Sequence, residues 1–422
     1  MSRIVLATFG SLGDLHPALA LAFELRRRGH AVTIASSGLY RETISTLDFA
    51  FAELRPELSV LDPELVRRIM DGTRGLKYLI RGLMLPAVRE MFSDLQRATA
   101  GADLLVTNEL VYAAPTLAEH TGLRWISYSL APMSYLSLCD PCVPPLPLAG
   151  EWVRRMPRAL VRASTQLAEL RTRPWWRPVR ELRRELGLAP GRNPIFTGKH
   201  SPQLDLALFS PTLQPPQPDW PVSTRQLGFC FYDEIPTTPN RSAGALPPAV
   251  ENFLATGEPP IVFTLGSAAV FAANNFYAES ARAAQLLGRR ALLLLGKNSP
   301  PPILPPSILT WDYLPYAGIF PRAAAVVHQG GVGTTAQALR AGRPMLVVPF
   351  GFDQPDNAAR IARLGVGRSL PRARYRSERV ARELAALLAT PGIIARAEAI
   401  GTRIRTERGT AAACDALEAQ LH

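Results

Sequence analysis

A buried strand, a glycine-rich turn and a helix follow one another between Ala323 and Gly342, and that order leaves the chain few folds. From Trp311 to Asn357 the text reads W-D-Y-L-P, then V-V-H-Q-G-G-V-G-T-T-A-Q-A-L-R-A-G-R-P-M-L-V-V-P, then F-D-Q-P-D-N. Ala323 to Val327 is an apolar run of strand length ending in His328. Gly330, Gly331 and Gly333 make the turn, and Thr334 and Thr335 open an amphipathic helix that stops at Gly342. The free N–H groups and positive dipole end of such a helix suit a diphosphate. So dense a set of glycines exceeds the needs of a tight turn and allows close backbone approach to a ligand. A second apolar run, Met345 to Pro349, carries Asp353 and Gln354 to the same sheet edge. Ligands of parallel sheets bind at that edge. A phosphate cradle beside two side chains able to grip hydroxyls fits a nucleotide sugar.

The strand, turn and helix pattern also opens the chain. Ile4 to Ala7 is a strand, Gly10 to Gly13 a turn, and a helix runs from about His16 to Arg28, before a strand over Ala31 to Ala35. Further strands are expected at Leu104 to Thr107, Trp125 to Tyr128 and Leu206 to Ser210, with a helix at Tyr112 to His120. Leu213 to Pro221 reads L-Q-P-P-Q-P-D-W-P, a proline density that forbids a helix and favours an extended connector. The pattern then restarts: strand Ile261 to Leu265, turn Gly266-Ser267, helix Tyr277 to Leu287, strand Ala291 to Leu295. The expected organisation is an α/β domain over 1–215, a linker over 213–224, a second α/β domain over 225–392, and a C-terminal segment over 393–422. Residues 139–185 interrupt the first half. They begin with Pro141, Pro144, Pro145 and Pro147, carry ten Arg between Arg154 and Arg184, and include Trp175-Trp176. Read plainly this is a helical subdomain with a solvated arginine face. Read functionally it is an acceptor lid, with Trp175 and Trp176 as its aromatic wall, that also touches anionic membrane.

At 422 residues, 47% apolar and 19% charged, the chain is globular with room for two or three cores. The formal charge is +12, almost all of it Arg, since Lys occurs only at Lys77, Lys199 and Lys297. A basic surface attracts nucleic acid, anionic lipid or a nucleotide diphosphate alike. No nucleic-acid-binding module is legible, and a reading on that basis rests on charge alone. No secretory signal and no run of ~18 apolar residues is present, so a cytoplasmic protein is expected, at most peripheral at the inner face of the membrane. Cys139-Asp-Pro-Cys142 has the spacing of half a metal site, but no second Cys/His pair lies near, and two reduced thiols are expected.

The stretch H-Q-G-G-V-G-T-T, with F-D-Q after it, resembles the nucleotide-sugar signature of the family 1 glycosyltransferases. Its spelling is similar to the bacterial antibiotic, sterol, glycopeptide and rhamnolipid branches, and the resemblance spans nearly the whole chain. It implies the glycosyltransferase B fold: two Rossmann-like domains facing each other across a cleft, the last helix crossing back to the first domain. It further implies an inverting, metal-independent enzyme without cofactor, acting on a nucleotide sugar and an apolar small-molecule or lipid acceptor. The donor is expected to be UDP-glucose, the commonest in the family, with dTDP-rhamnose next. A monomer or weak dimer is expected. The rival reading is a catalytically silent relative that binds and activates another transferase.

The candidate site residues follow from both lines. His328, with Gly330, Gly331, Gly333, Thr334 and Thr335, is placed on the donor diphosphate, as a cationic or neutral imidazole beside preorganised N–H groups. Ser267, at the matching turn after Gly266, is a weaker phosphate candidate. The resemblance puts Trp311 against the nucleotide base and Asp353 and Gln354 on the donor sugar; the plainer reading makes Asp353 a helix N-cap with Pro355 behind it. In G-S-L-G-D-L-H-P, Asp14 stands where related enzymes carry the base that takes the acceptor proton, with His16 as its rival. The plainer reading of Asp14 is a helix cap. Asn108 stands where His-based relatives carry an orienting Asp. A neutral amide there suits a carboxylate base, because a second carboxylate would raise its pKa. One base and no opposed nucleophile mean inversion.

Overall fold

The computed structural model describes residues 1–57, 63–72, 74–146, 150–232 and 246–421. Two parallel sheets organise them. The first holds β1 (Arg3–Ala7), β2 (Ala31–Ser36), β3 (Ala50–Glu53), β4 (Leu104–Asn108), β5 (Trp125–Ser129), β6 (Asp205–Ala207) and β7 (Thr224–Gln226), in the order β3-β2-β1-β4-β5-β6-β7. The second holds β8 (Ile261–Thr264), β9 (Ala291–Leu294), β10 (Ile308–Trp311), β11 (Ala325–His328), β12 (Met345–Val347) and β13 (Gly367–Ser369), in the order β10-β9-β8-β11-β12-β13. Parallel pairing needs helical crossovers, which cover both faces of each sheet and explain the unbroken apolar runs of β1, β8 and β11. Alternate residues feed opposite cores: Ile4 and Leu6 one side, Val5 and Ala7 the other; Ile261 and Phe263 one side, Val262 the other.

Strand order reverses between β1 and β4 in the first sheet and between β8 and β11 in the second. The loops leaving those strands diverge and open a crevice, the usual ligand site of such sheets. Asp14 and Asn108 sit at the first reversal, Ser267 and His328 at the second.

Several expectations are corrected. The first long helix runs Leu12–Arg27, starting before His16, because Ser11 caps it. The proline-rich connector at 213–221 is not the passage between units. It lies between β6 and β7, where Leu213 and Trp220 are buried with Tyr135 and Phe209, and Gln226 donates to the Phe209 and Gln214 carbonyls. The first sheet therefore extends through Gln226, beyond the expected limits at 215 and 224. Residues 233–245, early in the expected second domain, lie outside the described residues, as do 147–149 of the excursion and His422. The expected single C-terminal helix is two, Pro391–Arg405 and Gly409–Glu418. The former packs on helix Val332–Ala341 of the second unit, the latter on Leu12–Arg27 of the first. There Arg28 pairs with Asp415 at 2.6 Å and Glu418 at 2.7 Å.

A second tie crosses between the units. The irregular segment after Ser137 runs from the first unit onto helix Gln354–Leu364 of the second. Asp140 pairs with Arg360 at 2.7 Å, with Arg363 at 3.1 Å and with Arg154. Arg360 also pairs with Asp356 at 2.7 Å, and the Val143 N–H donates to Asp356 Oδ1 at 2.9 Å. Arg360 and Asp356 are fully buried, so each charge is compensated by its neighbours. Among the described residues no single helix is long and apolar enough to cross a membrane.

Candidate active site

Gly10 turns the chain out of β1 with φ +135°, and a Cβ built there would lie 2.2 Å from Asp14 Oδ2. Only glycine lets the Asp14 carboxylate fold back over the loop. Its Oδ2 accepts the Ser11 N–H at 2.8 Å, while Ser11 Oγ caps Gly13 N. Asp14 is thus part of a capping box, and the plainer reading of the residue holds. The other oxygen, Oδ1, is 3.5 Å from Asn108 Nδ2. Asn108 is more firmly held by the Phe9 backbone, donating to its carbonyl at 2.7 Å and accepting its N–H at 3.3 Å. The expected pairing exists, but chiefly as a clasp on the loop that carries Asp14. Burial pushes the Asp14 carboxyl up to about 7; the Ser11 N–H opposes this, and the charges of Asp353 and Glu109 add to it. A carboxyl poised there is suited to exchange a proton near neutral pH. His16, the rival base, lies two residues further along the helix, on nearly the opposite side, and stacks on Tyr232, 5.0 Å between ring centres.

In the second unit β11 delivers His328 to the glycine turn. Gly330 has φ +91°, and a Cβ there would lie 2.7 Å from Val347 Cγ1, so no other residue fits. His328 Nδ1 accepts the Gly330 N–H at 3.1 Å, which puts the proton on Nε2. Burial lowers the imidazole to about 3, so His328 is a neutral donor rather than a cation. Nε2 is buried without a partner, an orphan donor costing about 1–3 kcal/mol until something accepts from it. The ring has no exposed surface, so direct contact with a ligand requires the turn to open. Thr335 spends its N–H on the Gly331 carbonyl at 2.9 Å, while its hydroxyl, like His328 Nε2, is buried without a partner. Thr334 Oγ1 is 3.4 Å from Gln329 Nε2, and Gly266, beside Ser267, packs against the same Gln329 and Thr334. The two turns of the second reversal therefore touch.

Asp353 begins helix Gln354–Leu364 but does not cap it with its side chain. Its Oδ2 instead accepts the Val332 N–H at 3.2 Å and Asn357 Nδ2 at 2.7 Å. An anion of the protein thus rests on the helix terminus expected to hold the diphosphate. Burial raises this carboxyl to about 6, against the hydrogen bonds from Asn357 and Val332. Gln354 Oε1 accepts the N–H groups of Phe350 and Gly351 at 2.8 and 3.1 Å, which leaves its Nε2 for a ligand. Trp311 ends the edge strand β10, partly buried against the second unit's core. Trp175 and Trp176 depart from expectation. Trp176 is a core residue beside Val179 and Leu182, its ring covered by Arg180 at 5.1 Å, and Trp175 packs on the same cluster. The apolar face of helix Arg177–Glu185 is what draws them inward.

The two reversals meet. A Cβ built on Gly333 would lie 3.9 Å from Gly13 Cα, so the Asp14 loop faces the start of helix Val332–Ala341 across the cleft. Asp14 and Asp353 are close enough to feel each other's charge. Sequence reading missed Asn357, which bridges Asp353 and the Gly330 carbonyl at 2.9 Å. Its place one helical turn after Asp353 was the available signal. It also missed Glu109, bound by Lys199 from a distant segment, for which the sequence held no signal.

Such a pair of facing Rossmann-like units defines the GT-B class of sugar-transferring enzymes. Two family models match the chain: the glycosyltransferase family 28 N-terminal domain over 4–101, and the erythromycin biosynthesis protein CIII-like C-terminal domain over 296–410. The O-mycaminosyltylonolide 6-deoxyallosyltransferase of Streptomyces fradiae is 33% identical over 99% of this chain and 97% of its own length. Among solved structures, the glycotransferase of kitacinnamycin superposes with TM-score 0.74 at 22% identity, covering 100% of this chain and 99% of that one. The spinosyn rhamnosyltransferase SpnG complexed with thymidine diphosphate gives 0.69 at 19% identity, covering 99% and 100%. The chain belongs to the bacterial GT-B glycosyltransferases of the family 1 superfamily, in their natural-product-modifying branch.

Proposed function

We propose that the protein is an inverting, metal-independent hexosyltransferase acting on a hydroxyl of an apolar small molecule or lipid. The observation that carries this reading is the meeting of the two strand-order reversals, with Asp14 on one side and the glycine turn and Asp353 on the other. Asp14 takes the acceptor proton as the hydroxyl oxygen attacks the anomeric carbon, and the bond to the diphosphate oxygen breaks on the opposite face. The diphosphate displaces Asp353 from the Val332 N–H, occupies the helix terminus, and accepts from the orphan Nε2–H of His328. Asp353, released, and Gln354 Nε2 then hold sugar hydroxyls. Trp311 borders the base and Ser267 the phosphates. A catalytically silent partner would need neither a carboxyl poised near neutrality nor an orphan donor at the glycine turn.

Family frequency favours UDP-glucose as donor. The names of the tylonolide relative and the spinosyn structure favour a 6-deoxyhexose, and the latter thymidine diphosphate, so dTDP-rhamnose stands beside it. A panel of UDP- and dTDP-sugars, scored for donor hydrolysis and transfer, decides between them; no nucleotide binding and no turnover with any donor would remove the reading.

Peripheral membrane contact has its own support. Helix Arg158–Thr172 buries only Val161 and exposes Leu160, Leu167 and Leu170 along one face. Arg158, Arg162 and Arg171 have no ion-pair partner among the described residues. Apolar and cationic groups on one exposed helix suit an anionic bilayer, and like charge opposes pairing of two copies. Sedimentation with phosphatidylglycerol but not phosphatidylcholine vesicles is expected; equal sedimentation with both, or with neither, would remove the contact.

A further inference from the structure

Among the described residues the charges of two further carboxylates reach Asp14, and the transfer described above uses Asp14 and one of these, Asp353. The other is Glu109. It follows Asn108 at the end of β4, beside the loop that carries Asp14, and its charge reaches Asp14. Oε2 lies 2.6 Å from Lys199 Nζ and Oε1 accepts Ser134 Oγ at 2.9 Å. Burial acts to raise this carboxyl, but the Lys199 ammonium, its hydrogen bond and that of Ser134 prevail and hold it below its ordinary value. Glu109 is therefore ionised across the neutral range.

Its exposure is informative. Glu109 sits deep among protein atoms, yet 32% of its side chain is accessible, against 10% for Lys199. A group that is both deep and accessible lines a cleft. An ionised carboxylate offers about four lone-pair sites, and the protein fills one on each oxygen. Acceptor capacity remains on the accessible side. The other groups around it are Tyr112 and Tyr135, both buried and held neutral, and His200, which is occupied with Asp205 at 3.1 Å. His200 adds to Lys199 in keeping the carboxyl ionised, and among the described residues only Lys199 and Ser134 bond to its oxygens.

We propose that Glu109 is the second anchor for the acceptor, accepting a hydrogen bond from a hydroxyl or protonated amine next to the reacting hydroxyl. The acceptor class is then a polyol or amino alcohol on an apolar frame. Alcohols carrying a carboxylate at that position are excluded, because three carboxylates in one low-dielectric cleft repel a fourth. This rests on Asp14 being the base. The base selects the hydroxyl that reacts; Glu109 selects its neighbour. Lys199 and Ser134 act through Glu109, as positioning residues that keep it ionised and aimed.

The test uses four alcohols that share one reacting hydroxyl on a phenylethyl frame: 1-phenylethane-1,2-diol, 2-amino-1-phenylethanol, 1-phenylethanol and mandelate. With the full-length enzyme, kcat/KM for the diol and amino alcohol is expected to exceed that for 1-phenylethanol by about 10–100-fold, the size of one hydrogen bond to a charged group. Mandelate should fall below 1-phenylethanol. Glu109→Gln should bring the diol and amino alcohol down to the level of 1-phenylethanol and raise mandelate toward it. A wild-type preference for 1-phenylethanol or mandelate, or the same ratios in the variant, overturns the assignment. So does an equal loss across all four, which would mean a role in the fold alone. If the variant does not fold, the wild-type order still decides. Nucleotide binding and donor hydrolysis are followed in parallel. Their absence strikes the transferase reading itself, whereas intact donor hydrolysis with no use of these alcohols, or indiscriminate use, strikes Glu109 only.

Discussion

Asp14→Asn separates the two tasks that this side chain performs. The Asp14 carboxyl titrates at about 7 in the folded protein against an ordinary 3.8. At about 1.4 kcal/mol per pKa unit, complete burial would set the cost of ionising it in place near about 4 kcal/mol. Water reaches the side chain from the cleft, and screening reduces this to roughly 1–2 kcal/mol. The sign follows from linkage. A carboxyl whose pKa is raised by folding binds its proton more tightly in the folded state. Its contribution to stability is therefore complete below 3.8 and is lost as pH rises through about 7. Asparagine keeps an oxygen for the Ser11 N–H and has no proton to lose, so it escapes that loss. Relative to wild type, the variant should gain roughly 1–2 kcal/mol at about pH 8 and clearly less at about pH 5. Over the same range its transfer rate to a neutral alcohol should be lower by about 10²–10⁴. Nucleotide affinity should stay normal. Urea unfolding at the two pH values, together with transfer rates, reads both effects. A variant that is destabilised at both pH values and still active would show that Asp14 is a helix cap and nothing more. If His16→Ala abolished transfer in that background, the base would be His16.

Four further outcomes are expected. Asp353→Asn removes a like charge facing Asp14, so the acidic limb of the remaining transfer activity should move to lower pH; an unmoved limb would separate the two carboxylates. His328→Ala should weaken nucleotide binding and lower turnover by about 10²–10³, as for loss of one oxyanion donor, and unchanged constants would take His328 out of the site. Trp176→Ala should destabilise the fold by about 3–5 kcal/mol without a selective rise in acceptor KM; the reverse pattern would restore it to the acceptor wall. Transfer should survive dialysis against a chelator, and a loss reversed by a divalent ion would refute metal independence.

What was legible in the sequence was what local chemistry dictates. The paired strand, turn and helix units announced both sheets, because apolar runs broken by glycine turns have few other solutions. The glycine turn was legible for the same reason: at Gly330 only glycine avoids Val347, and such a constraint leaves its mark in the text. The Asp14 pairing with Asn108 was half right; the contact exists, but the Phe9 backbone is the tighter partner. What failed was decided by distant packing. Trp176 reads equally well as a wall or as core until helix Arg177–Glu185 is seen to turn its apolar face inward. The proline-rich connector reads as an interdomain linker until β7 pairs beyond it. The charge state of His328 depends on its burial, and its tautomer on a hydrogen bond from Gly330; no periodicity encodes either.

The two ties between the units bear on how this scaffold can be recombined. A chimera joined only at the passage after Gln226 would take Asp140 from one parent and Arg360 with Asp356 from the other. It would also separate Arg28 from Asp415 and Glu418. A donor unit transplanted in this way would bring a buried arginine stripped of half its counter-charge and a terminal helix docked on a foreign surface. Exchange of sugar specificity between relatives therefore calls for four junctions rather than one: the passage itself, both ends of the segment around Asp140, and the turn between the last two helices, so that each charged group travels with its partner.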